Sequence, residues 1–203
     1  MDLSAGVAAA LAAAGEAFGP APAAAPRPRW GALYAELDAD ADAAYATDIE
    51  LIYEGYLLHY RESRALALAS EDLESRLLAG DCFYARGLRG IAARGDAEAV
   101  GLLARLMASC SYLRSTGAPF AADDALWAYT TAGLVALHGG AEPASVGVLF
   151  DDVEAGFHAP PSGVSAAARD AADIPAAVRA AADRLDLDDP APLRRELDAV
   201  AGR

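Results

Sequence analysis

TDIELIYEGYLLHYRESRALALA, residues 47–69, decides the fold class. Ile49, Ile52, Tyr53, Tyr56 and Tyr60 recur at spacings of three and four, the period of one helix face. Leu51, Leu57 and Leu58 widen that face beyond a narrow stripe. An apolar surface so broad suits a helix packed on several sides by other helices. Flanking segments carry the same period and no period-two alternation, so the expected fold is all-α.

Upstream, residues 1–18 read as an Ala-rich helix of high intrinsic propensity. Residues 19–29, GPAPAAAPRPR, carry four prolines and form a Pro-rich connector. A central helical bundle is expected over 30–140. Asp38, Asp40 and Asp42 lack the glycine and final glutamate of a calcium loop, and read as a solvated turn or helix face. After residue 69, Ser70 with three nearby acids starts a helix. Its Leu73, Leu77, Leu78, Cys82, Leu88 and Ile91 should continue the buried stripe to Arg94-Gly95. Asp96 caps the next helix, in which Val100, Leu103, Leu106, Met107, Cys110 and Leu113 repeat. Asp123 and Asp124 then open another, with Leu126, Trp127, Leu134 and Leu137, ending at Gly139-Gly140. Gly and Pro make 141–163 a loop, or a short helix between loops. Short, weakly apolar C-terminal helices follow over 164–203, with Pro175 and Pro192 near first-turn positions. The expectation is one domain, a bundle of about four to six main helices plus the short C-terminal ones.

Composition narrows function before any motif does. The 203 residues carry 30 acids against 16 bases, a formal charge of −14; every base is arginine, and Lys, Asn and Gln are absent. Phosphate neutralisation needs clustered bases, so no nucleic-acid partner is expected. The same charge opposes anionic lipid. Without lysine there is neither a Schiff-base mechanism nor a P-loop. No apolar run reaches the length of a transmembrane segment, and the N-terminus lacks the basic region of a signal peptide. Cys82 and Cys110 sit in apolar helical patterns and read as buried thiols. Cytoplasmic localisation is the expectation. Two cysteines and three scattered histidines, with no CxxC or HExxH, point to no metal site.

Residues 50–96 also carry a likeness. ELIYEGYLLHYRES at 50–63, followed by SRLLAGDCFYARGLRGIAARGD at 75–96, resembles the polyprenyl diphosphate synthase (trans-prenyltransferase) family. That family typically has a helix of the form ELIHxxSLLHDDxxD and then one containing LAGDYLxARA. Leu78, Ala79, Gly80 and Asp81 match the second most closely, and the similarity covers roughly residues 45–115. It implies part of an isoprenoid-synthase bundle. The departures lie where that family's chemistry resides. Its first Asp-rich motif falls on Tyr60-Arg61-Glu62-Ser63-Arg64. Neither Asp123-Asp124 nor Asp151-Asp152 is followed by a third aspartate at DDxxD spacing. Magnesium held against a diphosphate needs clustered carboxylate oxygens. The chain thus resembles a degenerate member lacking both Asp-rich motifs.

The resemblance implies a non-catalytic subunit or scaffold that pairs with a catalytic polyprenyl diphosphate synthase subunit in isoprenoid chain elongation. Neither catalytic residues nor metal ligands nor a cofactor are expected. Tyr53, Tyr56, Leu57, Tyr60 and Phe83 are the partner- or isoprenoid-facing candidates. The plainer alternative is a stand-alone helical adaptor or homodimer, since tyrosines with wet hydroxyl ends favour protein surfaces. His59 reads as a helix-face residue, Asp123 and Asp124 as cap acids, and Asp151, Asp152, Glu154 and His158 as solvated charges in a loop.

Overall fold

In the computed structural model, which describes residues 3–22, 25–157 and 165–202, every regular element among them is helical. In chain order these are α1 (Leu3–Gly15), α2 (Trp30–Leu37), α3 (Ala43–Tyr60), α4 (Leu73–Ala92), α5 (Ala97–Ser115), α6 (Phe120–His138), α7 (Pro143–Phe157), α8 (Ser165–Ala182) and α9 (Ala191–Ala201). The all-α expectation holds. The chain divides into two compact units, one of residues 1–35 and 39–96, the other of 36–38 and 97–203.

In the first unit α3 is the axis. Asp42 caps it, its carboxylate accepting from the Ala44 N–H at 2.9 Å; this is the role of one acid in the 38–42 patch. Twelve of its residues are buried, on all sides, as the wide stripe implied. On one flank α1 places Val7, Leu11 and Ala14 against Leu51, Leu58, Leu66 and Phe83. On another lies α4, and there the backbones nearly touch. A Cβ on Gly55 would sit 2.9 Å from the Gly80 carbonyl oxygen, and one on Gly87 would sit 2.6 Å from that of Asp48. Only the absent side chains permit this approach.

That crossing corrects the sequence reading of α4. Its buried residues are Ala79, Gly80, Phe83, Gly87 and Ile91. Leu73, Leu77 and Leu78 are 63, 48 and 57% exposed. The inward face is chosen by how near two backbones can come, and glycine is nearly invisible to a hydrophobic periodicity. Asp72, not Ser70, caps the helix, accepting from the Ser75 N–H at 3.1 Å. Cys110 is buried and Cys82 only half-buried, both as thiols.

In the second unit α6 is the axis, packed by α5, α7, α8 and α9. Fourteen of its residues are buried, with Trp127 and Tyr129 inside and the Tyr129 hydroxyl donating to the Val146 carbonyl at 2.9 Å. Asp123 and Asp124 are not caps: the N-cap is Pro119 and both acids are buried. Most of the expected loop at 141–163 is α7, which buries Val146, Leu149 and Phe150; its glycines sit at helical positions rather than breaking the chain. The rest of that segment, 158–163, lies outside the described residues. Pro175 stands inside α8, not in its first turn, whereas Pro192 does occupy the start of α9. The tail also packs, with Leu193, Leu197 and Val200 buried.

Candidate functional site

The end of α3 and the turn after it, residues 60–66, are where the family resemblance would place metal-binding aspartates. Two glutamates one helical turn apart, Glu50 and Glu54, project there from α3, and both are fully buried. A buried carboxylate must be paired and hydrogen-bonded or it is very costly. Here both are. Glu50 Oε1 accepts from the Arg29 and Gly31 N–H groups at 2.6 and 2.7 Å, which ties down the start of α2. Glu54 Oε1 accepts from the Ser63 hydroxyl at 2.7 Å and from the Arg64 and Ala65 N–H groups at 2.7 and 3.1 Å.

The second oxygen of each meets Arg64. Its Nη2 lies 2.9 Å from Glu50 Oε2, and its Nε lies 3.1 Å from Glu54 Oε2. Its Nη1 donates to the Arg27 carbonyl at 2.9 Å, and its guanidinium covers the Tyr53 ring 4.6 Å from the centroid. Burial alone would lower the Arg64 pKa, but Glu50 and Glu54 outweigh it and hold it above the ordinary arginine value. The guanidinium thus bridges the two carboxylates, and all four oxygens are taken by the chain itself. These acids fasten α2, α3 and the 61–66 turn together, and the guanidinium occupies the position between them that a cation would need.

An aromatic run extends from this knot. Trp30 meets Tyr53 edge-on at 5.7 Å, Tyr53 stacks on Tyr56 at 5.9 Å, and Tyr56 meets Tyr60 at 5.4 Å. Arg29 lies over Trp30 and donates to the Tyr53 hydroxyl, and Arg61 lies over Tyr56. Tyr53, Tyr56, Leu57 and Phe83 are buried in the core, while Tyr60 is half-buried. Phe83 belongs to the cluster with α1. An apolar cavity of about 230 Å³ also lies in this unit, walled by α1 residues Ala8, Leu11 and Ala12, by Ala21, Pro22 and Pro26, and by Ala65 of the turn.

Of the LAGD segment, Ala79 and Gly80 are buried at the crossing, whereas Leu78 and Asp81 face outward. His59 stacks on Tyr84 at 5.2 Å, with Nε2 3.2 Å from an Asp81 carboxylate oxygen. In the second unit Arg114 pairs with buried Asp123 at 2.9 Å, and Arg105 spans Asp151 and Glu154 at 2.6 and 2.8 Å. Those last two acids are therefore half of an ion-pair set, not merely solvated; His158 and the Asp152 side chain lie outside the described residues. Among the described residues no group of three or more His, Cys, Asp and Glu side chains is arranged to hold a metal.

The residues that organise the site were passed over in the sequence. Glu50 and Glu54 were the available signal: two acids at i and i+4 inside a helix otherwise apolar on all sides, with arginines just beyond its end.

No family model matches the chain, and no curated protein matches it. A crystal structure of a decaprenyl diphosphate synthase from Rhodobacter capsulatus aligns with 98% of this chain and 94% of its own, at 17% sequence identity and a TM-score of 0.43. A likeness at that level transfers neither family nor activity to this chain.

Proposed function

We propose that the chain is a non-catalytic helical subunit or scaffold, related to polyprenyl diphosphate synthases and working beside a catalytic partner. The observation that carries the reading is Arg64. In the stretch that resembles the family it stands where an aspartate is expected, and its guanidinium fills the space between Glu50 and Glu54. A tethered organic cation there serves as counter-charge, which is an architectural role rather than a chemical one. The test is twofold. The purified chain with allylic and homoallylic diphosphates and magnesium should form no product. Co-expressed with a polyprenyl diphosphate synthase, it should co-elute and alter product length or rate. Product from the chain alone, or separate elution with unchanged product, sinks the proposal.

A second reading, an adaptor with no isoprenoid role, is favoured by the placement of Tyr53, Tyr56, Leu57 and Phe83. All four are packed into the core, where they touch their own chain rather than an open apolar wall. The co-elution arm separates the two readings.

A further inference from the structure

α1 is held to the first unit more lightly than α3 and α4 are held to each other. Its sequence, LSAGVAAALAAAG, contains no charged side chain, so neither end of its dipole is complemented from within the helix. Its grip on α3 and α4 is a narrow stripe of Val7, Leu11 and Ala14, set against Leu51, Leu58, Leu66 and Phe83. Alanine fills most of its other positions and has little area to bury. On a further side Ala8, Leu11 and Ala12 face the apolar cavity of about 230 Å³, where a void stands in place of packed neighbours.

The chain that follows α1 is fastened much better. The Pro20 carbonyl accepts from the Ala67 N–H at 3.0 Å, and the Arg27 carbonyl accepts from Arg64 at 2.9 Å. Glu50 then holds the Arg29 and Gly31 N–H groups. Between helix and anchor, the Phe18 and Gly19 N–H groups both turn back to the Gly15 carbonyl, at 2.9 and 3.4 Å. Gly19 is thus the joint between a fixed strap and a lightly held helix. Across the last turn of α1, Arg86 donates to the Ala13 carbonyl at 3.1 Å, a bond open to water.

We propose that α1 is a detachable cover. It leaves as one unit about Gly19 while α2, α3 and α4 stay folded behind the anchor at Pro20, and it uncovers an apolar groove lined by Leu51, Leu58, Leu66 and Phe83. A segment with few large buried side chains and an exposed hydrogen bond opens locally, at a free energy below that of global unfolding. The groove is presented only in the open form, so α1 acts as its intramolecular occupant. The inference rests on the first unit alone and does not depend on the isoprenoid reading.

Native-state amide hydrogen exchange of the full chain, followed by NMR across low urea concentrations, tests it. Amides over residues 8–15 should exchange at least about a hundredfold faster than those of the buried centre of α3. Their urea dependence should be weak, because the opening exposes one helix and its groove rather than the whole core. Arg86→Ala, at an exposed position, should quicken exchange in α1 about fivefold by removing one hydrogen bond that the opening breaks. Tyr45→Phe removes a bond to Asp96 that the opening leaves intact. It should quicken α3 about fivefold and leave α1 unchanged. Exchange of α1 at the rate and urea dependence of α3 overturns the proposal. So does a Tyr45→Phe variant in which α1 quickens as much as α3, or an Arg86→Ala variant in which α1 does not quicken.

Discussion

Replacing Arg64 with methionine removes the charge between Glu50 and Glu54 while keeping much of the side chain's length and apolar stem. Taking one partner from a buried ion pair costs about 3–5 kcal/mol, because the partner left behind is still desolvated. Two features place this case at the lower end. The Arg64 side chain is 22% exposed, so water already screens part of the interaction. Each glutamate also keeps the N–H or hydroxyl donors on its other oxygen. The lost cover over Tyr53 adds about 0.5–1 kcal/mol. The sum is about 3.5–4 kcal/mol, a large share of the roughly 5–15 kcal/mol that holds a domain folded. At a shift of about 2–4 °C per kcal/mol for a chain of this size, melting should fall by about 7–16 °C. Differential scanning calorimetry at pH 7 reads it directly. Adding Glu50→Gln and Glu54→Gln to Arg64→Met should recover a substantial part of the loss, since the stranded charges go with their partner. A melting temperature within about 2 °C of the parent for Arg64→Met alone would refute the buried-bridge account.

Three further outcomes follow from other contacts. Gly87→Ala drives a Cβ into the Asp48 carbonyl and should cost about 1–3 kcal/mol; Gly101→Ala, in α5 with open space around it, should stabilise by about 0.5–1 kcal/mol, both read by urea denaturation. Asp123→Asn leaves Arg114 without its charged partner at the α5–α6 turn and should cost about 3 kcal/mol, read the same way. Burial first, and then the neighbouring Asp96 that accepts from its hydroxyl, hold the Tyr45 phenol well above the usual tyrosine range. A group whose folded pKa is raised contributes stability that is complete below its unfolded value, about 10, and is lost as pH rises beyond it. Tyr45→Phe should therefore flatten the alkaline fall in stability above about pH 10, at a cost near neutrality of about 1 kcal/mol for the lost hydrogen bond. An unchanged alkaline slope in that variant would contradict the assignment.

What the sequence made legible was whatever depends on apolar period. α3, α5 and α6 announce themselves because their leucines, isoleucines and aromatics recur at helical spacing, and all three bury most of those residues. α4 was found as a helix but turned the wrong way. Its orientation depends on Gly80 and Gly87, whose value lies in the backbone approach they permit and not in any hydrophobicity. α7 was obscured by Gly147 and Pro143, which signal a break only when no helix start or packed neighbour accommodates them. The buried ion pairs were the hardest to see. The i, i+4 spacing of Glu50 and Glu54 in an apolar helix hints at burial, but neither it nor the neighbourhood of Asp123 says which arginine pairs with the carboxylate. The tertiary path of residues 61–66 supplies the partner of Glu50 and Glu54, and the last turn of α5 supplies that of Asp123.

The Arg64 bridge also constrains which sequences lie one step away. Exchanging Arg64 for aspartate would set a third carboxylate beside two that water cannot reach, with no positive charge to balance them. Such an intermediate should fold poorly unless a divalent cation were bound at once, and Arg61 and Tyr60 would add nothing to hold it. A metal centre at this turn is therefore not reached through Arg64→Asp alone without a loss of stability. The arginine sets a barrier in stability between the present chain and that exchange.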